Sequence, residues 1–252
     1  MRHAVVRACV GLVGLAVGLG GVGQWEAMAG GIMYWTDLGI SKIQRVNLDG
    51  TGLRDLVATD LRLPRSIAID EAGSKIYWID SGTRKIQRAN LDGSDVEDLI
   101  TRGMSAPGAL ALDVAGGKMY WTDSAIDKIQ RAKLDGSGVE DLITRGLSAP
   151  WGIALDVAGG KMYWTDSATG KIQRAKLDGT GVEDLVSRGL RIPWGIALDV
   201  AGGKVYWTDA GSDKVQRANL DGSGVEDLII TYSGGPAKSG GQRYGLALAT
   251  GR

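Results

Sequence analysis

Histidine and cysteine are almost missing from this chain: His3 and Cys9 are the sole examples of each, and both lie within the first nine residues. The remainder has no imidazole base, no thiol nucleophile, no disulfide and none of the usual zinc ligand sets. Phenylalanine is absent, so 8 Trp and 7 Tyr carry the aromatic load. Neither sign of charge prevails, since 29 Lys+Arg face 29 Asp+Glu for a formal net charge of +0. That balance removes the electrostatic reason to expect nucleic acid or an anionic membrane as a partner. No N-x-S/T acceptor occurs, so N-glycosylation is not expected. No segment sustains a helical period of apolar residues.

Long apolar runs are also scarce. The nearest candidate spans Ala8 to Gly23, too short for a confident bilayer span. It follows basic Arg2, His3 and Arg7 and precedes Ala27-Met28-Ala29, a small-residue cleavage pattern. Residues 1–29 therefore read as a secretory signal peptide and 30–252 as the mature domain, destined for the extracellular space or the periplasm. The alternative is an uncleaved membrane anchor.

Glycine is abundant, with 40 residues gathered in clusters such as Ala115-Gly116-Gly117 and Asp135-Gly136-Ser137-Gly138. These clusters punctuate a repeat. Tyr-Trp pairs stand at Tyr34-Trp35, Tyr77-Trp78, Tyr120-Trp121, Tyr163-Trp164 and Tyr206-Trp207, each 43 residues after the last. A fixed period of this size means a solenoid or a propeller. One unit contains four short extended runs, WGIALD, KMYWTD, KIQRAKL and VEDLV, separated by Gly- and Asp-rich turns. Four strands with short connections fill such a unit, and radial packing of four-stranded units makes propeller blades. The first run is apolar on both faces, as a strand between neighbouring blades must be. KIQR reads as a solvated outer stripe. Within KMYWTD, Tyr163 and Trp164 point to opposite sides of their strand.

The PWGIALDVAGGKMYWTD block, with its five YWTD-type motifs (one reading YWID at Ile79), closely resembles the YWTD repeat, also called the LDL-receptor class B repeat. The resemblance implies an all-β, extracellular propeller of four-stranded blades that binds proteins or acts as a rigid spacer. Known members are six-bladed, whereas five motifs predict five blades here. The expectation is that the C-terminal run Tyr244 to Ala249, YGLALA, closes the ring by completing the N-terminal blade, whose first motif strand starts near Ile32. The alternative is an incomplete or open six-bladed ring.

Two near-identical units, Pro107–Ala149 and Pro150–Ile192, differ at ten positions. Most of these fall at the start of the first strand, the second-to-third hairpin and the approach to the next blade. In a four-stranded meander all three places lie at one end of the propeller, its top face. The residues starting each inner strand are Arg65, Gly108, Trp151, Trp194 and Tyr244. Trp, Tyr and Arg are the types enriched in interface hot spots, so Arg65, Trp151, Trp194 and Tyr244 are the candidate partner-binding residues; the competing reading is that these rings cap the core. The motif aspartates Asp37, Asp80, Asp123, Asp166 and Asp209 read as structural turn residues rather than metal or catalytic groups, and the Tyr-Trp pairs as core.

The leading functional expectation is thus a secreted, non-enzymatic binding scaffold, without cofactor or metal, whose partner is an extracellular protein or peptide. A metal-dependent lactonase-like hydrolase is the second reading, because propellers of the gluconolactonase and strictosidine-synthase type carry chemistry in their channel. Inner strands reading GIALD, ALALD and SIAID offer it little. A purely structural repeat protein is the third.

Overall fold

The computed structural model describes residues 15–17, 22–27, 31–230 and 246–248. They form five four-stranded antiparallel sheets and one two-stranded sheet. Blade 1 comprises β2 (Val22–Ala27), β3 (Ile32–Asp37), β4 (Lys42–Asn47) and β5 (Arg54–Val57); β1 (Leu15–Val17) precedes it. Blade 2 is β6 (Pro64–Asp70), β7 (Lys75–Asp80), β8 (Lys85–Asn90) and β9 (Glu97–Ile100). Blade 3 is β10 (Pro107–Asp113), β11 (Lys118–Asp123), β12 (Lys128–Lys133) and β13 (Glu140–Ile143). Blade 4 is β14 (Pro150–Asp156), β15 (Lys161–Asp166), β16 (Lys171–Lys176) and β17 (Glu183–Val186). Blade 5 is β18 (Pro193–Asp199), β19 (Lys204–Asp209), β20 (Lys214–Asn219) and β21 (Glu226–Ile230), and β22 (Leu246–Leu248) follows. Each blade is a simple meander, and successive inner strands pack side by side. The result is a five-bladed β-propeller.

Ring closure differs from the sequence expectation. The inner strand of blade 1 is β2, from the segment read as a signal peptide, with Trp25 opposite Trp35 and Ala27 opposite Met33. The C-terminal β22 instead pairs with β1, Leu15 against Leu248 and Val17 against Leu246, and this small sheet packs against both β18 and β2. The physical reason is proximity along the chain. Closing a hairpin from β2 to β3 costs far less loop entropy than recruiting a strand from the other terminus.

Proline and glycine place the strand ends. Pro64, Pro107, Pro150 and Pro193 open the four inner strands of blades 2 to 5, where the missing N–H costs no ladder bond. Gly136, in the Leu-Asp-Gly turn, has φ 82°, and a Cβ there would lie 2.5 Å from the carbonyl oxygen of Leu99 in the preceding blade. Only glycine meets both demands.

The motif strand builds the core. Tyr and Trp of one motif enter different layers: Tyr120 packs with Trp164 of the following blade, and Tyr163 with Trp207 of the one after. Trp78, Trp121, Trp164 and Trp207 are fully buried, whereas Trp35 of blade 1 is half-buried. The indole N–H of each of these four fully buried tryptophans finds a partner, as buried donors generally do. Trp121 Nε1 donates to Gln130 Oε1 at 3.0 Å, Gln130 Nε2 donates to Asp141 Oδ1 at 2.7 Å, and Lys128 Nζ holds Asp141 Oδ2 at 2.7 Å. The same relay recurs in blades 2, 4 and 5. KIQR is therefore not a solvated stripe. In blades 2 to 5 its Ile (or Val) and Gln are buried, the Gln because a tryptophan in the adjacent strand needs the amide, while Lys and Arg stay half-buried.

The threonine of the motif joins blades. Thr122 Oγ1 donates to the Trp151 carbonyl of the next blade at 2.5 Å and accepts from the Ala109 N–H of its own inner strand at 3.1 Å. Blade 2 has Ile79 at this position and no hydroxyl. Its register partner Ser66 supplies one instead, accepting the Leu110 N–H of blade 3 at 2.9 Å.

Ser66→Ala is expected to lower stability by about 1–3 kcal/mol, because the Leu110 N–H is left unsatisfied in a buried place. Adding Ile79→Thr is not expected to recover that loss in urea denaturation, because the motif threonine donates to a carbonyl of the next inner strand and accepts an N–H of its own, which leaves the Leu110 N–H open. Acid is expected to act through the relay. The Lys85 ammonium, then the Gln87 amide, hold Asp98 below its ordinary 3.8 against a burial effect that raises it, and Lys128 and Lys171 do the same for Asp141 and Asp184. Depressed folded-state values mean that this stabilisation is present in full above about pH 4 and is lost as pH falls through the folded values. A melting temperature flat from pH 7 to 5 and falling steeply below about pH 4 is the expected profile.

Candidate functional site

The starts of the inner strands do not follow regular pairing. In blade 4 the ladder is interrupted between Pro150 and Ile153, in blade 5 between Pro193 and Ile196, in blade 3 between Pro107 and Leu110 and in blade 2 between Pro64 and Ser66. Trp151, Trp194, Gly108 and Arg65 all sit inside these interruptions. Bulges re-aim a side chain away from the pleat, and in blades 2 to 5 each interruption leaves one of these residues outside regular pairing.

The backbone at these positions is tied down. Thr122 and Thr165 each donate to the carbonyl of the next blade's tryptophan, Trp151 and Trp194, at 2.5 Å. The Thr165 hydroxyl also accepts the Gly152 N–H at 2.8 Å. A Cβ on Gly152 would lie 2.4 Å from the Trp194 carbonyl oxygen, so a residue without a side chain lets the two inner strands approach. The rings are then free to meet: Trp151 and Trp194 lie 4.1 Å apart between centroids, tilted by 60°. Arg65 places its guanidinium carbon 4.9 Å from the Trp151 centroid, a cation–π distance. Blade 3, between Arg65 and Trp151 in the ring, contributes only Gly108, which leaves the gap the arginine crosses. The structure thus brings Arg65, Trp151 and Trp194 into one half-buried stack. Tyr244 lies outside the described residues.

The motif aspartates lie at the same end and hold it rigid. Asp80 accepts the N–H groups of Arg62 at 2.7 Å and Leu63 at 3.0 Å from the incoming linker, and those of Gly82 at 2.9 Å and Thr83 at 3.1 Å from the hairpin. Asp123 takes Ser105, Ala106 and Ala125; Asp166 takes Ser148 and Thr169; Asp209 takes Arg191, Ile192, Gly211 and Ser212. Among the described residues Asp37 of blade 1 accepts from its own hairpin, through Gly39 and Ile40. Asp80, Asp123, Asp166 and Asp209 are buried with their oxygens occupied. They position the linkers that carry the binding candidates and present no free carboxylate to the channel. Tyr34, Tyr77, Tyr120, Tyr163 and Tyr206 are buried core residues. Among the described residues no group of three or more His, Cys, Asp or Glu is placed to hold a metal ion, and no helix is long and apolar enough to cross a membrane.

Sequence reasoning missed the threonine clamp and the serine that replaces it. The signal was available: Ile79 breaks the motif where Ser66 breaks the inner strand, both in blade 2.

The pattern of the low-density lipoprotein receptor repeat class B matches five times in tandem, over residues 31–71, 74–114, 117–157, 160–200 and 203–232. The chain belongs to the class B repeat family. No curated protein matches this class B repeat propeller in sequence. Among solved structures it is similar to a chain of the nidogen/laminin complex, with 25% identity, a TM-score of 0.78 and coverage of 93% of this chain and 86% of that one. A putative TolB from Agrobacterium tumefaciens shares the fold at 17% identity and TM-score 0.70, over 90% of this chain and 83% of the other. So does a streptogramin B lyase at 15% identity and TM-score 0.68, over 88% and 74%.

If the mouth stack is set apart from the inter-blade core, the two kinds of tryptophan should differ in weight. Trp164→Ala is expected to cost about 3–5 kcal/mol, and Trp151→Ala less than about 2 kcal/mol, in chemical denaturation of the purified chain.

Proposed function

We propose that this class B repeat propeller is a secreted, non-enzymatic binding module that grips an extracellular protein or extended peptide at the mouth of its ring through Arg65, Trp151, Trp194 and Tyr244. The observation that carries the reading is the Arg65–Trp151–Trp194 stack. It is built where otherwise near-identical repeats diverge and is aimed by bulges. Stacked aromatic rings with a guanidinium alongside suit hot-spot recognition, because little side-chain entropy remains to be lost on binding. The likeness to a chain solved in a complex with laminin supports a protein partner in kind. The lyase likeness, at 15% identity, speaks for the fold alone and brings no residue set with it.

Residues 1–29 are proposed as the signal for export. The same residues supply β1 and β2, so the N-terminus of the exported chain decides between a transient and a permanent role for them. A start at Gly30 supports the signal; a retained Met1 sinks it. The exported chain, immobilised, is expected to retain a specific protein from the extracellular mixture of its source, and Trp151→Ala with Trp194→Ala should abolish retention while circular dichroism stays unchanged. Undiminished retention by the folded double variant would refute the mouth as the binding site.

A further inference from the structure

Blade 1 breaks one rule that the other four blades keep. On the third strand of blades 2 to 5 an arginine stands opposite a glutamate of the fourth: Arg88 with Glu97, Arg131 with Glu140, Arg174 with Glu183 and Arg217 with Glu226. All four pairs are closed, at 2.9, 2.7, 2.6 and 2.5 Å. In three of these blades the guanidinium also donates to a carbonyl of the following blade, Leu134, Leu177 or Leu220. The arginine is thus held by a carboxylate on its own sheet and an oxygen on the next.

In blade 1 the partner opposite Arg45 is Arg54. The carbonyl equivalent to that of Leu134 is Leu91, and the Tyr34 hydroxyl donates to it, at 3.4 Å. Among the described residues Arg45 thus faces an arginine where the repeat has a carboxylate, and it makes no bond to the Leu91 carbonyl. The nearby acids are engaged elsewhere. Asp55 accepts from Lys42 and Gln44, and Asp49 from Thr51. Asp92 of blade 2 is held below its ordinary value chiefly by the Ser94 hydroxyl and amide, with the field of Arg54 the smallest contribution. Among the described residues neither Arg45 nor Arg54 closes an ion pair. Like charges directly opposite on paired strands are destabilising, and Arg45 is half-buried, so its charge is partly desolvated.

We propose that Arg45 and Arg54 form an oxyanion site on the outer rim of blade 1 that takes a carboxylate from an acidic, extended segment of a partner protein. The other blades show what fits: a carboxylate at hydrogen-bond distance from this arginine, supplied there by the chain itself. Two guanidinium groups on directly opposed residues suit bidentate capture. Because β5 is the outermost strand of its sheet, its free edge lies beside the site, and an extended segment can run along it while an acidic side chain reaches inward. This site stands apart from the channel mouth and does not depend on the reading given to it.

The test uses the full chain and a fluorescein-labelled hexaglutamate peptide, followed by fluorescence anisotropy at low salt. Saturable binding by the wild type is expected, weakened roughly tenfold or more by Arg54→Glu, which installs the repeat's own glutamate and fills the site. Arg45→Gln should weaken binding similarly. Arg102→Glu, an equal charge change at an exposed arginine elsewhere, should leave it within about twofold. The Arg54→Glu chain should also melt no lower than wild type, since it closes a pair that four other blades already close. Equal weakening by Arg54→Glu and Arg102→Glu would reduce the effect to net charge and overturn the proposal. So would absence of saturable binding, or preference for a heparin-derived hexasaccharide over the peptide.

Discussion

No blade of this propeller owns a core. The tyrosine and tryptophan of a single motif enter different layers, so among the described residues each hydrophobic cluster is shared by two neighbouring sheets. A four-stranded sheet on its own would leave both of its large rings in water, and each such ring contributes on the order of 2–3 kcal/mol when buried. Blades must therefore fold onto one another, as in other arrays whose stability resides in nearest-neighbour interfaces. The threonine clamp obeys the same constraint with polar atoms: its hydroxyl is satisfied only when the next inner strand is in place.

That constraint explains where the sequence is free to vary and where it is not. The tryptophan–glutamine–aspartate–lysine relay spans three strands of a blade and recurs with little change in distance from blade to blade. Departures from the repeat come with compensation or with a change of chemistry. Ile79 is matched by Ser66. Arg54, facing Arg45, has no such counterpart. Blade 1 is also the blade whose motif tryptophan is half-buried, whereas those of the other four are fully buried.

Much of the fold was legible in the sequence because the repeat is itself a physical statement. Five Tyr-Trp pairs at constant spacing, each flanked by turn glycines, require five equal units, and four extended runs per unit fix the blade. The turn-forming character of the motif aspartates was readable from their place before Gly- and Ser-rich hairpins. Three things were not. The burial of Gln130 and its equivalents depends on an indole N–H in the adjacent strand, which composition alone does not reveal. The closing strand was assigned to the C-terminus because YGLALA matches the inner-strand pattern, but chain proximity favours Val22–Ala27. At the candidate site, the residue types at the strand starts were visible, whereas the contact of Arg65 with Trp151 across the gap at Gly108 required the ring.

The interrupted pairing at the start of each inner strand separates two jobs that usually compete. Residues two or three positions further in keep the register, as Ile153 does opposite Trp164, while the residue in the interruption answers to neither ladder nor layer. Arginine, glycine and tryptophan all occupy that place in one molecule. The residue type at this place thus changes from blade to blade while the pairing that begins two or three residues further in stays the same.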